Sequence, residues 1–382
     1  MVLTIAGDCG WIFICQRSAE DSQTNMKNKT QDKINMLCSG IIETLRVFER
    51  VQRRFHPLFP QRYQDRLAAC ISPLETARDQ VLPVDDPIHT RLVQAADLLI
   101  QALHLIERTD DMQQAVVDLL KMNRKICRVQ EIVYPLCYQC SLIDQFFSEE
   151  SLPHVAKKYN QNAKDLSESV GIFHEGVEKN PYARGGKSLY VPELYDSSCS
   201  WPLVIALHGG YSHGRDFLWY WLREARSRHF ILLCPSSLGR TWGISSPEDD
   251  IELLTNCVED VVSRHHIDCK KILLTGMSDG ATFALICGLR KQTCFTSIVP
   301  IAGVLPPLDL SHARRRRIFW VHGAHDWMFP VSRAQLGYEM LKDAGADVKL
   351  RIVKDLAHAY PREENSSILQ WFNPALSLDA GK

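Results

Sequence analysis

Residues 276–280 read Gly-Met-Ser-Asp-Gly, and they stand between an apolar, β-branched run, Lys271 to Thr275, and a stretch of helix-compatible composition. Few segments constrain a fold so strongly. Glycine two positions before and two positions after the serine permits a strand-to-helix turn too tight for side chains at those places. Such a turn lifts the Ser278 hydroxyl out of the sheet plane at the start of a helix, where backbone amides favour negative charge. The five-residue pattern alone also fits an ordinary turn, and the strand before it with the helix after it favours a nucleophile.

The rest of the chain divides by periodicity. From about Lys33 to Lys164 glycine is scarce and apolar residues recur three or four apart, as in Leu37, Ile41, Leu45 and Phe48, which predicts one buried helix face between Ile34 and Phe55. Further helices are predicted over His89 to Ile106 and Met112 to Phe147, with a break at Pro135. No repeat of fixed period marks a solenoid. After about Glu175, short apolar runs alternate with helical patterns, the order of a parallel sheet covered by helices. Strands are predicted over Leu203 to Leu207, Phe230 to Cys234, Lys271 to Thr275, Ser297 to Ile301, Ile318 to Val321 and Val348 to Val353. The expected organisation is a flexible lead-in over 1–32, an all-helical domain over 33–168 and an α/β catalytic domain over 169–382. The helical domain is expected to fold separately, to control access or docking, and to offer a surface for an oligomeric or protein partner.

Composition removes several function classes. Forty-four Lys and Arg against 45 Asp and Glu, for a net charge of -1, provide no overall field for nucleic acid or an anionic membrane. Four consecutive arginines, Arg314 to Arg317, read as a solvated helix end in preference to a phosphate or acidic-lipid dock. Thirteen cysteines, an odd number without disulfide spacing, point to a reducing compartment, so a cytoplasmic location is expected. Cys137 and Cys140 form a lone C-x-x-C without a second ligand pair, and neither a metal nor a cofactor is expected. The first fifteen residues lack a basic leader and carry Asp8, unlike a signal peptide. No apolar run reaches the ~18–20 residues of a membrane span.

A nucleophilic serine needs a base, and the base needs a carboxylate. Asp326 follows the run Ile318 to Val321, and His358 follows the run Val348 to Val353, giving the chain order Ser, Asp, His. Asp309 and Asp355 compete for the acid, and His312, His322 and His325 for the base. Earlier, an apolar strand ends in His208-Gly209-Gly210-Tyr211, a loop whose backbone amides can meet a reacting carbonyl oxygen together with the amide of Asp279. Gly210, Tyr211 and Asp279 are therefore the expected oxyanion donors, and His208 is expected to be structural. Phe217, Trp219, Tyr220 and Trp221 fit an acyl pocket or plain core packing equally well. Trp219, Trp242, Met277 and Trp327 are the candidate pocket residues.

Taken together, Leu207 to Gly210, the elbow at Ser278, His-Gly-x-x-Asp at Asp326 and the late His358 resemble the phospholipase/carboxylesterase and polyhydroxyalkanoate-depolymerase-like esterases of the α/β-hydrolase superfamily, over roughly Tyr190 to Phe372. That resemblance implies a cofactor-free serine hydrolase acting on a small or lipid-like ester or thioester through an acyl-enzyme. It also implies a mostly parallel α/β-hydrolase sheet. Asp279 departs from the Gln, Ala or His that often follows the serine, and the helical half has no counterpart. A peptidase of the prolyl-oligopeptidase type and a non-catalytic interaction module are the alternatives.

Overall fold

A computed structural model describes residues 9–377, except 60, 82–85, 106–110, 150–168, 177–179 and 181, with side chains from residue 31 onward apart from Arg62. The expected boundary between 168 and 169 lies at the edge of the undescribed stretch. The first helix, α1, runs Cys9–Gln52 and so begins within the segment expected as a lead-in. No glycine or proline lies between residues 11 and 39 to stop it. Its buried stripe is the one expected, Leu37, Ile41, Leu45 and Phe48, extended by Val51.

Four further helices follow: α2 (Gln61–Ala68), α3 (Ile71–Gln80), α4 (Pro87–Leu103) and α5 (Met112–Val133). Asp86 caps α4 by accepting from the Ile88 amide, with Pro87 in the first turn, and Asp111 caps α5 by accepting from Gln114. The helical run breaks where Pro135 predicts. A 3₁₀ turn, Tyr134–Tyr138, leads into α6 (Ser141–Phe146).

The second half is one eight-stranded sheet in the order β1-β2-β4-β3-β5-β6-β7-β8. The strands are β1 (Gly171–Glu175), β2 (Lys187–Val191), β3 (Trp201–Leu207), β4 (Ile231–Pro235), β5 (Ile267–Met277), β6 (Ser297–Ile301), β7 (Arg317–Gly323) and β8 (Asp347–Val353). β2 pairs antiparallel with both of its neighbours, β1 and β4, and the remaining pairs are parallel, which is the mostly parallel α/β-hydrolase sheet the sequence implies. The edge pair β1 and β2 was not legible in advance, because neither is a continuous apolar run. Between the strands lie α7 (Gly214–Phe217), α8 (Leu222–Arg228), α9 (Glu248–Arg264), α10 (Asp279–Gly288), α11 (Val331–Asp343) and α12 (Asn365–Phe372).

Alternate side chains of each strand serve opposite faces. Leu203, Ile205 and Leu207 of β3 join a core with α9, α10 and α11. Val204 and Ala206 join the other core, with α8 and α12, and that buried cluster continues without interruption into Tyr134, Phe147, Leu99 and Leu45 of the helical half. Polar contacts cross the same seam. Glu193, almost fully buried, accepts from the hydroxyls of Tyr134 and Tyr138 at 3.0 Å each, and from Tyr190 and Arg226; Arg226 also pairs with Asp144 at 2.7 Å. Buried charges persist when paired and hydrogen-bonded. Among the described residues no helix is long and apolar enough to cross a membrane.

Candidate active site

The elbow is built by sterics. A Cβ on Gly276 would stand 2.4 Å from the Gly280 carbonyl oxygen, and one on Gly280 would stand 2.4 and 2.5 Å from the carbonyl oxygens of His208 and Leu207. No side chain fits at either place, which is the physical content of the glycine spacing. Ser278 adopts φ 55°, ψ -119° at the start of α10, and its amide donates to the Ile301 carbonyl at 2.9 Å. Only a tightly held backbone keeps a non-glycine residue there. Gly280→Ala is accordingly expected to cost about 1–3 kcal/mol of stability and to displace Ser278. A thermal melt paired with an esterase assay checks it, and an unchanged melt would count against the packing.

The structure brings three of the candidate side chains together. His358 Nε2 lies 3.0 Å from Ser278 Oγ, and His358 Nδ1 lies 2.9 Å from Asp326 Oδ2. The Asp326 side chain has no solvent exposure, and its other oxygen accepts from the amides of Met328 and Phe329 at 2.9 and 2.7 Å. Two amide donors fix the carboxylate rotamer, so Oδ2 is left for the imidazole.

Among the described residues none of the competitors reaches Ser278, although His322 Nε2 comes within 3.5 Å of Asp326 Oδ2. Exposed Asp309 turns back to accept from the amide and hydroxyl of Ser311, contacts that hold its carboxyl below the usual range. Asp355 is held low by Arg54 and Arg53. His322 is fully buried, with Nε2 donating to the Phe329 carbonyl at 2.8 Å, and burial lowers its pKa. His312 and His325 are exposed.

The oxyanion loop departs from expectation at one position. Tyr211, at φ 61°, directs its amide to the Arg240 carbonyl at 2.8 Å, so that amide is already satisfied. Among the described residues no acceptor stands at the amides of Gly210 or Asp279. A Cβ on neighbouring Gly209 would lie 3.5 Å from Ser278 Cβ, which places the loop directly beside the nucleophile position. His208 supports the loop from inside. Its Nδ1 donates to the Gly209 carbonyl at 2.7 Å, Nε2 accepts from the Ser237 amide at 3.1 Å, and burial pushes its pKa down to about 3, so it is neutral. The Asp279 carboxylate accepts from Thr241 Oγ1 at 2.6 Å and sits 2.8 Å from where a Gly210 Cβ would be. Nothing in the local sequence flagged Thr241, which is 38 residues from its partner.

Two of the four candidate pocket residues lie in the interior. Trp242 is 1% exposed, stacks on Phe283 at 4.9 Å, and donates to the His208 carbonyl, so it braces the oxyanion loop from behind. Trp219 is 2% exposed and lines a cavity of about 560 Å³ between α1, α5 and α8 whose walls include neither Ser278 nor His358. Core packing is thus what the aromatic run from Phe217 to Trp221 does. Trp327 and Met277 stay at the site: Trp327 is half-buried with its ring edge-on to His358 at 5.8 Å, and half-buried Met277 adjoins Ser278 in the chain.

Residues 245–374 match the family model described as Phospholipase/Carboxylesterase. The C-terminal half of this chain resembles that family. The matched span of this phospholipase/carboxylesterase-like half contains Ser278, Asp326 and His358 and begins after the oxyanion loop. Solved structures similar to it include esterase PE8 (21% identical, covering 48% of this chain and 97% of that one, TM-score 0.42). The native esterase Est2 of Thermogutta terrifontis is 15% identical over 52% of this chain and 91% of its own, with TM-score 0.41. The Bacillus cereus carboxylesterase is 16% identical over 50% and 93%, with TM-score 0.40. No curated protein sequence matches the chain.

Proposed function

We propose that this chain is a serine hydrolase that cleaves a carboxylic ester or thioester through an acyl-enzyme. The observation that carries the reading is the single imidazole of His358, 3.0 Å from Ser278 Oγ on one side and 2.9 Å from buried Asp326 on the other. His358 Nε2 removes the Ser278 proton as Oγ bonds to the substrate carbonyl carbon, and Asp326 stabilises the imidazolium. The carbonyl electron pair moves to oxygen, held by the Gly210 and Asp279 amides and by the N-terminus of α10. When the pair returns, the bond to the alcohol or thiol breaks and His358 protonates that leaving group. Water then attacks the acyl carbon, giving its proton to His358, and the carboxylic acid departs as Ser278 Oγ recovers a proton. Met277 flanks the acyl group in this reading, Trp327 stands against the His358 ring, and the substrate is a small or lipid-like ester. The free cysteines fit a reducing compartment such as the cytoplasm.

A fluorophosphonate probe reacts with an activated serine and leaves unactivated serines alone. Treating the purified chain and mapping the adduct is expected to find the label on Ser278, together with loss of aryl-ester hydrolysis. A chain that stays unlabelled, or carries its label on another serine, rejects the assignment.

A further inference from the structure

The family match begins at residue 245, yet three loops of the candidate site are held from the helical half. Directly before the base, the Ala357 amide donates to the Arg53 carbonyl at 2.8 Å. Two residues earlier, Asp355 accepts from the guanidinium groups of Arg53 at 2.8 Å and Arg54 at 3.0 Å. Directly after the acid, the Trp327 indole donates to the Phe55 carbonyl at 3.1 Å, with the His56 ring 6.3 Å from the Trp327 ring. That same indole lies edge-on to His358. Farther round, Arg124 of α5 donates to the Tyr211 carbonyl of the oxyanion loop at 3.3 Å.

We propose that the turn closing α1, Arg53 to His56, positions the acid and base loops, with Arg53 and the Trp327-to-Phe55 contact as its working parts. The inference rests on the serine-hydrolase reading and adds to it that the helical half sets the triad geometry. The other anchors of the base loop lie on either side of His358: buried Leu356 before it, and after it Tyr360, whose hydroxyl donates to Asn365 at 2.8 Å and whose ring meets Phe217 and Tyr220. The loop's backbone bonds to the neighbouring strand region are the 2.9 Å contact from His325 to Leu356 and a 3.4 Å contact from Leu356 to Val353. The Arg53 carbonyl and the clamp on Asp355 hold the chain at the two positions 357 and 355 that lead into His358. The fixed indole then forms a wall against which the imidazole keeps its rotamer. A displacement of about 1 Å in such a group lowers a rate by about a hundredfold without altering how substrate binds. These are positioning residues, since none of them meets the reacting atoms.

Full-length Trp327→Phe keeps an aromatic ring, though a smaller one, and removes the indole donor; Arg53→Ala removes its half of the clamp and leaves Arg54 on Asp355, and Arg53→Lys keeps the charge. Each is assayed with a small aryl ester, with active sites counted by fluorophosphonate and the melting temperature recorded. The expected result is that kcat per labelled site falls by about 10- to 100-fold in Trp327→Phe and Arg53→Ala, while KM changes by less than about twofold. Arg53→Lys recovers most of the loss, and the acid limb of the kcat/KM pH profile, which reports the base, shifts in the impaired variants. A pocket role for Trp327 would instead raise KM, and a purely structural role would lower the melting temperature with kcat per labelled site unchanged; either result overturns the proposal. If Arg53→Ala does not fold, Trp327→Phe decides. An intact chain that neither labels nor hydrolyses removes the hydrolase reading itself, whereas an active intact chain with unaltered variants removes only the positioning role.

Discussion

Ser278→Ala is expected to lower kcat for a short-chain aryl ester by about 10⁴- to 10⁶-fold, with His358→Ala in the same range and Asp326→Asn near 10⁴-fold. The fold should survive the first change. Alanine bears the same φ cost as serine, and the hydroxyl lost makes its hydrogen bond to His358. Residues that act as one unit are not additive, so combining Ser278→Ala with His358→Ala should add little to either alone. Asp309→Asn serves as the control, because the exposed Asp309 carboxylate bonds within its own loop to Ser311. Steady-state kinetics on the purified variants test all five. Near-normal turnover in Ser278→Ala would sink the nucleophile assignment, and a damaging Asp309→Asn beside a mild Asp326→Asn would move the acid to the earlier loop.

Starting the chain at residue 169 is expected to yield an insoluble or molten product. The expectation from sequence is a helical half that folds by itself and can be removed, but the buried cluster runs through the proposed boundary. Trp219 packs against Tyr134 and Phe147 at ring distances of 5.8 Å each, and both partners belong to the helical half. Re-exposing each large apolar side chain costs about 1.5–3 kcal/mol, so losing the cover of a few would consume a typical total stability of about 5–15 kcal/mol. The seam also holds charges. Without Asp144, Tyr134 and Tyr138, the buried Arg226 loses one of its two carboxylates and Glu193 two of its four donors, and taking a partner from a buried ion costs up to about 3–5 kcal/mol. Circular dichroism and size-exclusion chromatography of the truncated chain check this, as does calorimetry of the full chain, where a single cooperative transition is expected. A soluble, monomeric, cooperatively melting 169–382 fragment would show that the helices are dispensable for folding.

What the sequence determined by itself is what nearest neighbours along the chain determine. The glycines at 276 and 280 were legible because the clash they avoid lies within the turn and at the end of the adjoining strand. The apolar runs of β3 to β7 were legible because burial on both faces removes polar residues from them, that of the edge strand β8 by its alternation of apolar and charged residues, and the kink at Pro135 because proline lacks the amide a helix needs. The chain order of Ser278, Asp326 and His358 followed from which strand each one ends. Tertiary structure alone decided the rest. Whether the Tyr211 amide is available depends on the Arg240 carbonyl, brought to it by a separate loop. Trp219 and Trp242 carry no mark in their composition to say that they face the interior. The hold of Arg53 and Phe55 on the base and acid loops joins residues about three hundred positions apart, 302 for Arg53 with Asp355 and 272 for Phe55 with Trp327. Spacing along a chain encodes the sterics of a turn and the period of a helix or strand, but it does not encode which distant carbonyl will occupy an amide once both halves pack on one sheet.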